Sequence, residues 1–143
     1  PDAREEPHFR VLHELEFNSD RKRMSVIVKS GDEVLCVTKG ADNIMADLID
    51  RPFDIDTLEH LTRFSQQGLR TLVVGLRKVD PVFLKQWQND MRAAQNTVDS
   101  SRESKIAEVA ARIEAGLTLV GVTAVEDRLQ DDVPRAIHIM KEA

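Results

Sequence analysis

The sequence contains a single cysteine, Cys36, which excludes an intrachain disulfide and any metal site built from several thiolates. No apolar run approaches the ~20 residues that cross a bilayer, and no signal-peptide pattern opens the chain. The phosphate-loop pattern G-x-x-x-x-G-K-[ST] and the dinucleotide pattern G-x-G-x-x-G are also absent. These absences favour a reducing, cytosolic setting, and any nucleotide site must be of another kind.

The histidines lie apart in the sequence, and none has the i, i+4 histidine partner or the thiolate neighbour that a metal site needs. His13, on the apolar side of a predicted strand, is expected to be structural. The 20 basic and 25 acidic residues give a formal net charge of -5, which disfavours a nucleic-acid-binding surface. We therefore predict no metal site and no nucleic-acid partner.

The length and composition are those of one folded domain. The chain has 143 residues, of which 41% are hydrophobic and 31% are charged, enough apolar content to form a core. It begins at Pro1 rather than methionine and ends at Ala143 inside a predicted helix. We expect a domain that belongs to a longer protein.

The periodicity of the apolar residues predicts the order strand, strand, strand, helix, helix, strand, helix, helix, strand, helix. The first three strands are joined by short turns and must be antiparallel neighbours, so the fold class is α+β, a largely antiparallel sheet flanked by helices. The predicted strands are Phe9 to Phe17, Arg23 to Lys29, Glu33 to Lys39, Leu69 to Val79 and Leu117 to Val125. The predicted helices are Ala41 to Asp50, Asp54 or Asp56 to Gly68, one from Asp80-Pro81 that carries Trp87, Arg102 to Ala115, and one from Pro134 that carries Ile137 and Ile139.

Phe17 is the first candidate binding residue. A phenylalanine at the end of a strand is usually part of the core. Here turn residues and then the cluster Arg21 to Arg23 follow directly, so the ring is expected at a rim beside positive charge. That cluster alone would indicate a solvated charge run or a partner-binding face.

Lys39 and Arg70 are the other candidates. Lys39 ends an apolar strand before Gly40 and Ala41, whose small size would let a ligand approach the backbone. Arg70 opens a buried strand, and its guanidinium can bind phosphate oxygens or pair with a carboxylate. Each residue alone favours a structural role, whereas an aromatic and a lysine at strand ends together point to nucleotide binding.

Four segments, in this order, resemble the nucleotide-binding domain of the type IV P-type ATPases, the phospholipid flippases. They are FNSDRKRMSVIV at 17–28, KGAD at 39–42, GLRTL at 68–72 and VEDRLQDDVP at 125–134. The resemblance covers nearly the entire chain. It implies a nucleotide-binding domain over residues 1–125, whose N-terminal part is missing, and a hinge over 126–143 that returns toward the phosphorylation domain.

The resemblance also implies the site. Phe17 would stack on adenine, Lys39 would lie beside adenine and the phosphates, and Arg70 would meet the phosphate end. Residues that match motif positions close to the nucleotide are Ser19, Gly40 and Leu72. In the last segment the resemblance assigns hinge residues rather than catalytic ones, namely Asp127 and Pro134.

The chain lacks the family's Asp-Lys-Thr-Gly phosphorylation site, its Thr-Gly-Asp motif, its upstream acidic motif and its membrane helices. The resemblance therefore implies a fragment that is not catalytic alone, in an ATPase translocase that uses ATP and Mg, the metal being bound mainly outside this chain. The implied partners are the phosphorylation and actuator domains, phospholipid through a membrane domain, and an accessory subunit. The implied location is the cytoplasmic side of an integral membrane protein.

The sequence leaves two alternatives open. One is a degenerate P-type ATPase module with a regulatory or assembly role in a larger protein. The other is a protein interaction domain that uses the basic patch Arg21 to Arg23 and has no nucleotide response.

Overall fold

The structure, a computed structural model, describes residues 9–126 and 137–141. Within these residues it contains one six-stranded sheet and four helices. The strands are β1 Phe9–Leu15, β2 Arg23–Ser30, β3 Glu33–Gly40, β4 Leu69–Val79, β5 Thr118–Glu126 and β6 Ile137–Lys141. The helices are α1 Asp42–Leu48, α2 Ile55–Gln66, α3 Pro81–Gln95 and α4 Arg102–Ile113.

Each strand pairs antiparallel with its neighbour in the chain, so the sheet order is β1-β2-β3-β4-β5-β6. The pair α1 and α2 is inserted between β3 and β4, and the pair α3 and α4 between β4 and β5. The predicted α+β class with a largely antiparallel sheet is confirmed.

Local sequence signals explain where the helices begin and end. The Asp54 carboxylate caps α2 by accepting a hydrogen bond from the Thr57 N–H at 2.7 Å. Pro81 occupies the first turn of α3. Gly68 and Gly116, which follow α2 and α4, have φ of +76° and +66°, a conformation that glycine adopts without a Cβ penalty.

All four described helices pack on one face of the sheet. Residues that pair across antiparallel strands share a face of the sheet. Ile27 pairs with Cys36, and Gly40 pairs with Val73, which pairs with Val122. Because Cys36 and Gly40 are four residues apart on β3, all five lie on the same side. One core cluster joins β2 and β3 to α3 and α4, and a second joins β4 and β5 to α1 and α2. We call this side the helix-covered face.

The opposite side, which we call the open face, carries half-buried apolar residues and exposed cations. Its central members are Met24 on β2, Val37 and Lys39 on β3, and Leu72 and Val74 on β4. None of the four described helices contributes to this face. It is the side on which a ligand can reach the sheet directly.

Two sequence predictions are wrong, one at each edge of the sheet. The segment predicted as a last helix contains β6, because Ile137–Lys141 pairs with β5 from Gly121 to Val125. In β1 the register shifts between Val11 and His13, which leaves Val11 52% exposed and packs Leu12 against the core. An alternation that places Phe9, Val11, His13, Leu15 and Phe17 on one apolar side therefore fails at the start of the strand.

Trp87 and His13 are structural, as predicted. Trp87 is 1% exposed, and its indole N–H donates to the Val109 carbonyl at 2.7 Å. The His13 ring meets the Trp87 ring edge to face at 5.1 Å and accepts from the Gln88 amide at 3.2 Å. Burial and the nearby Arg92 charge lower the pKa of His13, which favours the neutral form of the ring.

Candidate functional site: the open face and the Phe17 loop

Lys39, Leu72 and Arg70 lie on the same face of the sheet. Lys39 is paired with Met24 on one side and with Val74 on the other. Leu72 and Arg70 follow Val74 at alternate positions toward the start of β4, so their side chains leave the sheet on the side of Lys39. Four residues of strand put Arg70 roughly 13 Å from Val74 along β4. The structure thus places three of the residues selected from the sequence on one face of the sheet.

Phe17 lies in the loop of residues 16–22, the Phe17 loop, which connects β1 to β2. Its side chain is 59% exposed, so it is not part of the core. The loop meets the end of β3, because the Ala41 N–H donates to the Lys22 carbonyl at 3.3 Å and Arg23 pairs with Gly40. Phe17 and Lys39 therefore lie at the same end of the sheet, and Ser19 is exposed in the same loop.

Gly40 has a structural role that the sequence did not reveal. It points to the helix-covered face, where an added Cβ would lie 2.7 Å from the Arg23 Cβ and 2.8 Å from the Lys22 carbonyl oxygen. The space left by its missing side chain is filled by the Phe17 loop and the start of β2. On the helix-covered side, the close backbone approach at Gly40 is thus made by the protein itself.

The basic patch predicted at Arg21 to Arg23 is largely internal. The Arg21 side chain, 12% exposed, donates from both terminal nitrogens to the Glu114 carboxylate at 3.0 and 2.8 Å. Arg23, 15% exposed, donates from Nε to the same carboxylate at 2.9 Å. Lys22 between them is exposed. The interaction-domain alternative loses two of the three cations on which it depended.

Glu114 is the residue that the sequence analysis missed. It follows α4 directly, is fully buried, and also accepts from Ser25, whose hydroxyl is 2.7 Å from that of Thr38. Burial by itself would raise the pKa of Glu114, but the hydrogen bonds from Arg21 and Ser25 and the charges of Arg21 and Arg23 lower it below its ordinary value. An acidic residue at a helix C-terminus is unfavourable because it lies beside the negative end of the helix dipole. This position was the signal in the sequence that Glu114 needs a cationic partner.

A cleft of about 430 Å³ lies on the other side of the Phe17 loop, between that loop and helices α3 and α4. Carboxylates of Glu14, Glu16, Asp20 and Glu103 line it, above a floor that includes Met91. Four carboxylates would repel a polyphosphate. The cations of the open face, not this cleft, suit a nucleotide.

Among the described residues, no group of three or more His, Cys, Asp or Glu side chains is placed to hold a metal ion. None of the helices in the described ranges combines the length and the apolar composition that crossing a bilayer requires. The predicted hinge residues Asp127 and Pro134 lie outside the described residues, so their assignment stays a prediction.

Comparison with known proteins gives one consistent result. Residues 3–132 match the family model described as P-type ATPase, cytoplasmic domain N. The chain is 42% identical over 139 residues to phospholipid-transporting ATPase 10 of Arabidopsis thaliana, which covers 94% of the chain and 12% of the relative.

Two fungal relatives also match over most of the chain. The chain is 41% identical over 141 residues to phospholipid-transporting ATPase DNF1 of Chaetomium thermophilum, covering 95% of the chain and 9% of that protein. It is 38% identical over 143 residues to phospholipid-transporting ATPase DRS2 of Saccharomyces cerevisiae, covering 97% and 10%. The chain thus spans 9% to 12% of the lengths of these relatives.

Proposed function

Because this chain belongs to the family of P-type ATPase cytoplasmic N domains, we propose that it is the ATP-binding domain of a phospholipid translocase, or flippase. Its role is to hold ATP so that the γ-phosphate reaches an aspartate in the phosphorylation domain of the same protein. The whole protein is an ATP-driven transporter in a membrane, with this domain on the cytoplasmic side. Phospholipid, the actuator domain and an accessory subunit are its further partners.

The observation that carries the proposal is the shared position of Lys39, Leu72 and Arg70 on the open face, with the exposed Phe17 at the same end of the sheet as Lys39. A purine needs a stacking surface, and Phe17 offers an aromatic ring at a rim. A polyphosphate needs fixed cations, which Lys39 and Arg70 supply on one side of the sheet. Leu72, half-buried between them, gives the nucleotide an apolar surface.

The domain contributes positioning rather than covalent chemistry. Domain closure would bring the bound ATP to the acceptor aspartate, and the rate gain from such an arrangement comes from orientation. Mg²⁺ accompanies ATP and neutralises phosphate charge when bound, and we assign its ligands mainly to other domains. Within this chain, Lys39 and Arg70 balance the remaining charge.

An NMR titration of the 143-residue chain with ATP tests the proposal. We expect saturable shifts around Phe17, Lys39 and Arg70, with a Kd on the order of millimolar to high micromolar. Phe17→Ala should weaken binding about fivefold or more, since stacking of one base is worth ~1–3 kcal/mol. Lys39→Ala should weaken it about tenfold, as expected for loss of one charged contact.

Two matched variants control for nonspecific effects. Phe9 is 55% exposed, close to the value for Phe17, and lies at the far end of β1, so Phe9→Ala should leave the affinity unchanged. Lys78 is on the open face at the other end of β4, where it pairs with Glu33 at 2.9 Å, so Lys78→Ala should also bind normally. If ATP causes no shifts near Phe17, or if Phe17→Ala and Lys39→Ala bind as the controls do, the nucleotide assignment is wrong.

A further inference from the structure

Glu114 has no contact with the open face, yet its carboxylate receives hydrogen bonds from Arg21, which lies in the Phe17 loop, and from Arg23, which follows it. We infer that Glu114 is a positioning residue, which through Arg21 and Arg23 holds the Phe17 loop in the conformation that receives adenine. The inference rests on the proposed function, because it assigns to a buried ion cluster the task of presenting the stacking residue. The Glu114 cluster comprises Arg21, Arg23, Ser25, Thr38 and Glu114.

The first step of the argument is that Arg21 binds the loop at both of its ends. Its Nε donates to the Glu16 carbonyl at 3.3 Å, and Nη2 lies 3.5 Å from the Leu15 carbonyl and 3.4 Å from the Arg23 carbonyl. The same guanidinium forms the two-bonded contact with Glu114. One side chain thus joins the end of β1, the start of β2 and the carboxylate that follows α4.

The second step is that the loop between these ends is itself ordered. The Asn18 side chain accepts from the Arg21 N–H at 2.7 Å, and the Asn18 carbonyl accepts from the Lys22 N–H at 2.8 Å. Lys22 has a φ of +55°, a left-handed conformation that a lysine keeps only where the surroundings enforce it. Ser19 lies within this hydrogen-bonded turn, and Phe17 directly precedes it.

The third step concerns the energetic reason for a buried charge. A buried ion pair seldom stabilises a protein more than apolar packing would, so its presence needs another reason, such as fixing one geometry. A fork of two parallel hydrogen bonds fixes the guanidinium plane, and Arg23 binds the same carboxylate from a second direction through Nε. Arg23 also donates to the Arg21 carbonyl at 3.1 Å, which closes the cluster around the loop.

Coupling between Arg21 and Phe17 tests the inference through a double-mutant cycle. Arg21→Lys keeps the positive charge beside Glu114 but removes the fork and the bonds to the loop carbonyls. We expect Arg21→Lys to weaken ATP binding about fivefold. The loss should not exceed that caused by Phe17→Ala, because only the stacking on Phe17 is disturbed. In the Phe17→Ala background the same substitution should have no further effect, because the stacking that it disturbs is already gone.

Glu114→Gln is the second variant, and it should reproduce the loss of affinity and the non-additivity with Phe17→Ala. Hydrogen exchange in the nucleotide-free chain supplies a direct measure of loop order, with faster exchange expected at the Arg21 and Lys22 amides. Ile113→Val is the control, because Ile113 is fully buried next to Glu114 and its truncation weakens packing without touching the cluster. It should change neither the ATP affinity nor these two exchange rates.

The outcomes separate this inference from the proposed function. If the wild-type chain does not bind ATP, the proposed function fails and the inference fails with it. If Phe17→Ala weakens binding while Arg21→Lys and Glu114→Gln do not, the positioning role is wrong and the proposed function stands. Equal effects of Arg21→Lys with and without Phe17, or loss of affinity in Ile113→Val, would also overturn the positioning role, since they indicate a general loss of structure. Should Glu114→Gln not fold, the cycle on Arg21 and Phe17 decides alone.

Discussion

Replacing Glu114 with glutamine should destabilise this domain far more than a surface substitution would. Glu114 is fully buried, whereas the Arg21 and Arg23 side chains retain 12% and 15% exposure. Removing one partner of a buried ion pair costs ~3–5 kcal/mol, because the remaining charge is left uncompensated. Water reaches the guanidinium groups in part and offsets some of that loss, so we expect a decrease of ~2–4 kcal/mol in the free energy of unfolding.

Urea denaturation measures this effect, with the fluorescence of the buried Trp87 as the probe. The control is Asp90→Asn, which breaks the 3.0 Å ion pair between Asp90 and Arg112, whose side chains are 29% and 48% exposed. Because exposed pairs contribute little, this variant should lose no more than ~1 kcal/mol. If Glu114→Gln and Asp90→Asn shift the urea midpoint equally, the buried ion pairs of Glu114 contribute no more to stability than an exposed pair does.

The pH dependence provides a second measurement on the same variant. The folded-state pKa of Glu114 lies below its ordinary value of 4.5, so the unfolded chain takes up a proton first as the pH falls. The stabilisation by Glu114 is therefore complete above about pH 4.5 and is lost as the pH falls through the folded-state pKa. The difference in stability between wild type and Glu114→Gln should shrink below pH 4.5, and a constant difference would refute this account.

Two further predictions concern the sheet. Gly40→Ala should cost ~1–3 kcal/mol in urea denaturation, because the added methyl group meets the Arg23 Cβ and the Lys22 carbonyl oxygen, and an unchanged midpoint would show that the strands accommodate it. The pKa of His13, measured by NMR from its ring protons, should lie below the 6.5 of an unperturbed histidine, with the same chain in urea as the reference. Since the unfolded state then binds the proton first, His13 should contribute a loss of stability as the pH falls below about 6.5.

The elements governed by local signals were predictable from the sequence. Leu69–Val79 is a strand over the range that its apolar, β-branched composition indicated, and Asp54 and Gly68 mark the limits of α2 as their chemistry suggests. A last helix was predicted because proline is compatible with the first turn of a helix. Ile137 and Ile139, however, also fit the period of a strand. The observed structure is a strand, because Ile137–Lys141 pairs with the edge of β5.

The site was predictable in part. Phe17 and Lys39 stood out because each ends a predicted apolar strand, and β-sheet alternation then places Leu72 and Arg70 on the side of Lys39. The Arg21–Glu114 contact joins residues 93 positions apart, and no periodicity reports a contact at that distance. A run of arginines looks the same in the sequence whether it faces solvent or a buried carboxylate.

The strand order of this sheet has a consequence for synthesis. Because each strand pairs with its predecessor in the chain, a strand that leaves the ribosome finds its partner already made. The two helix pairs lengthen the loops between β3 and β4 and between β4 and β5, at a closure cost that grows only slowly with length. The sheet can therefore grow in one direction, from β1 toward β6, as the chain emerges.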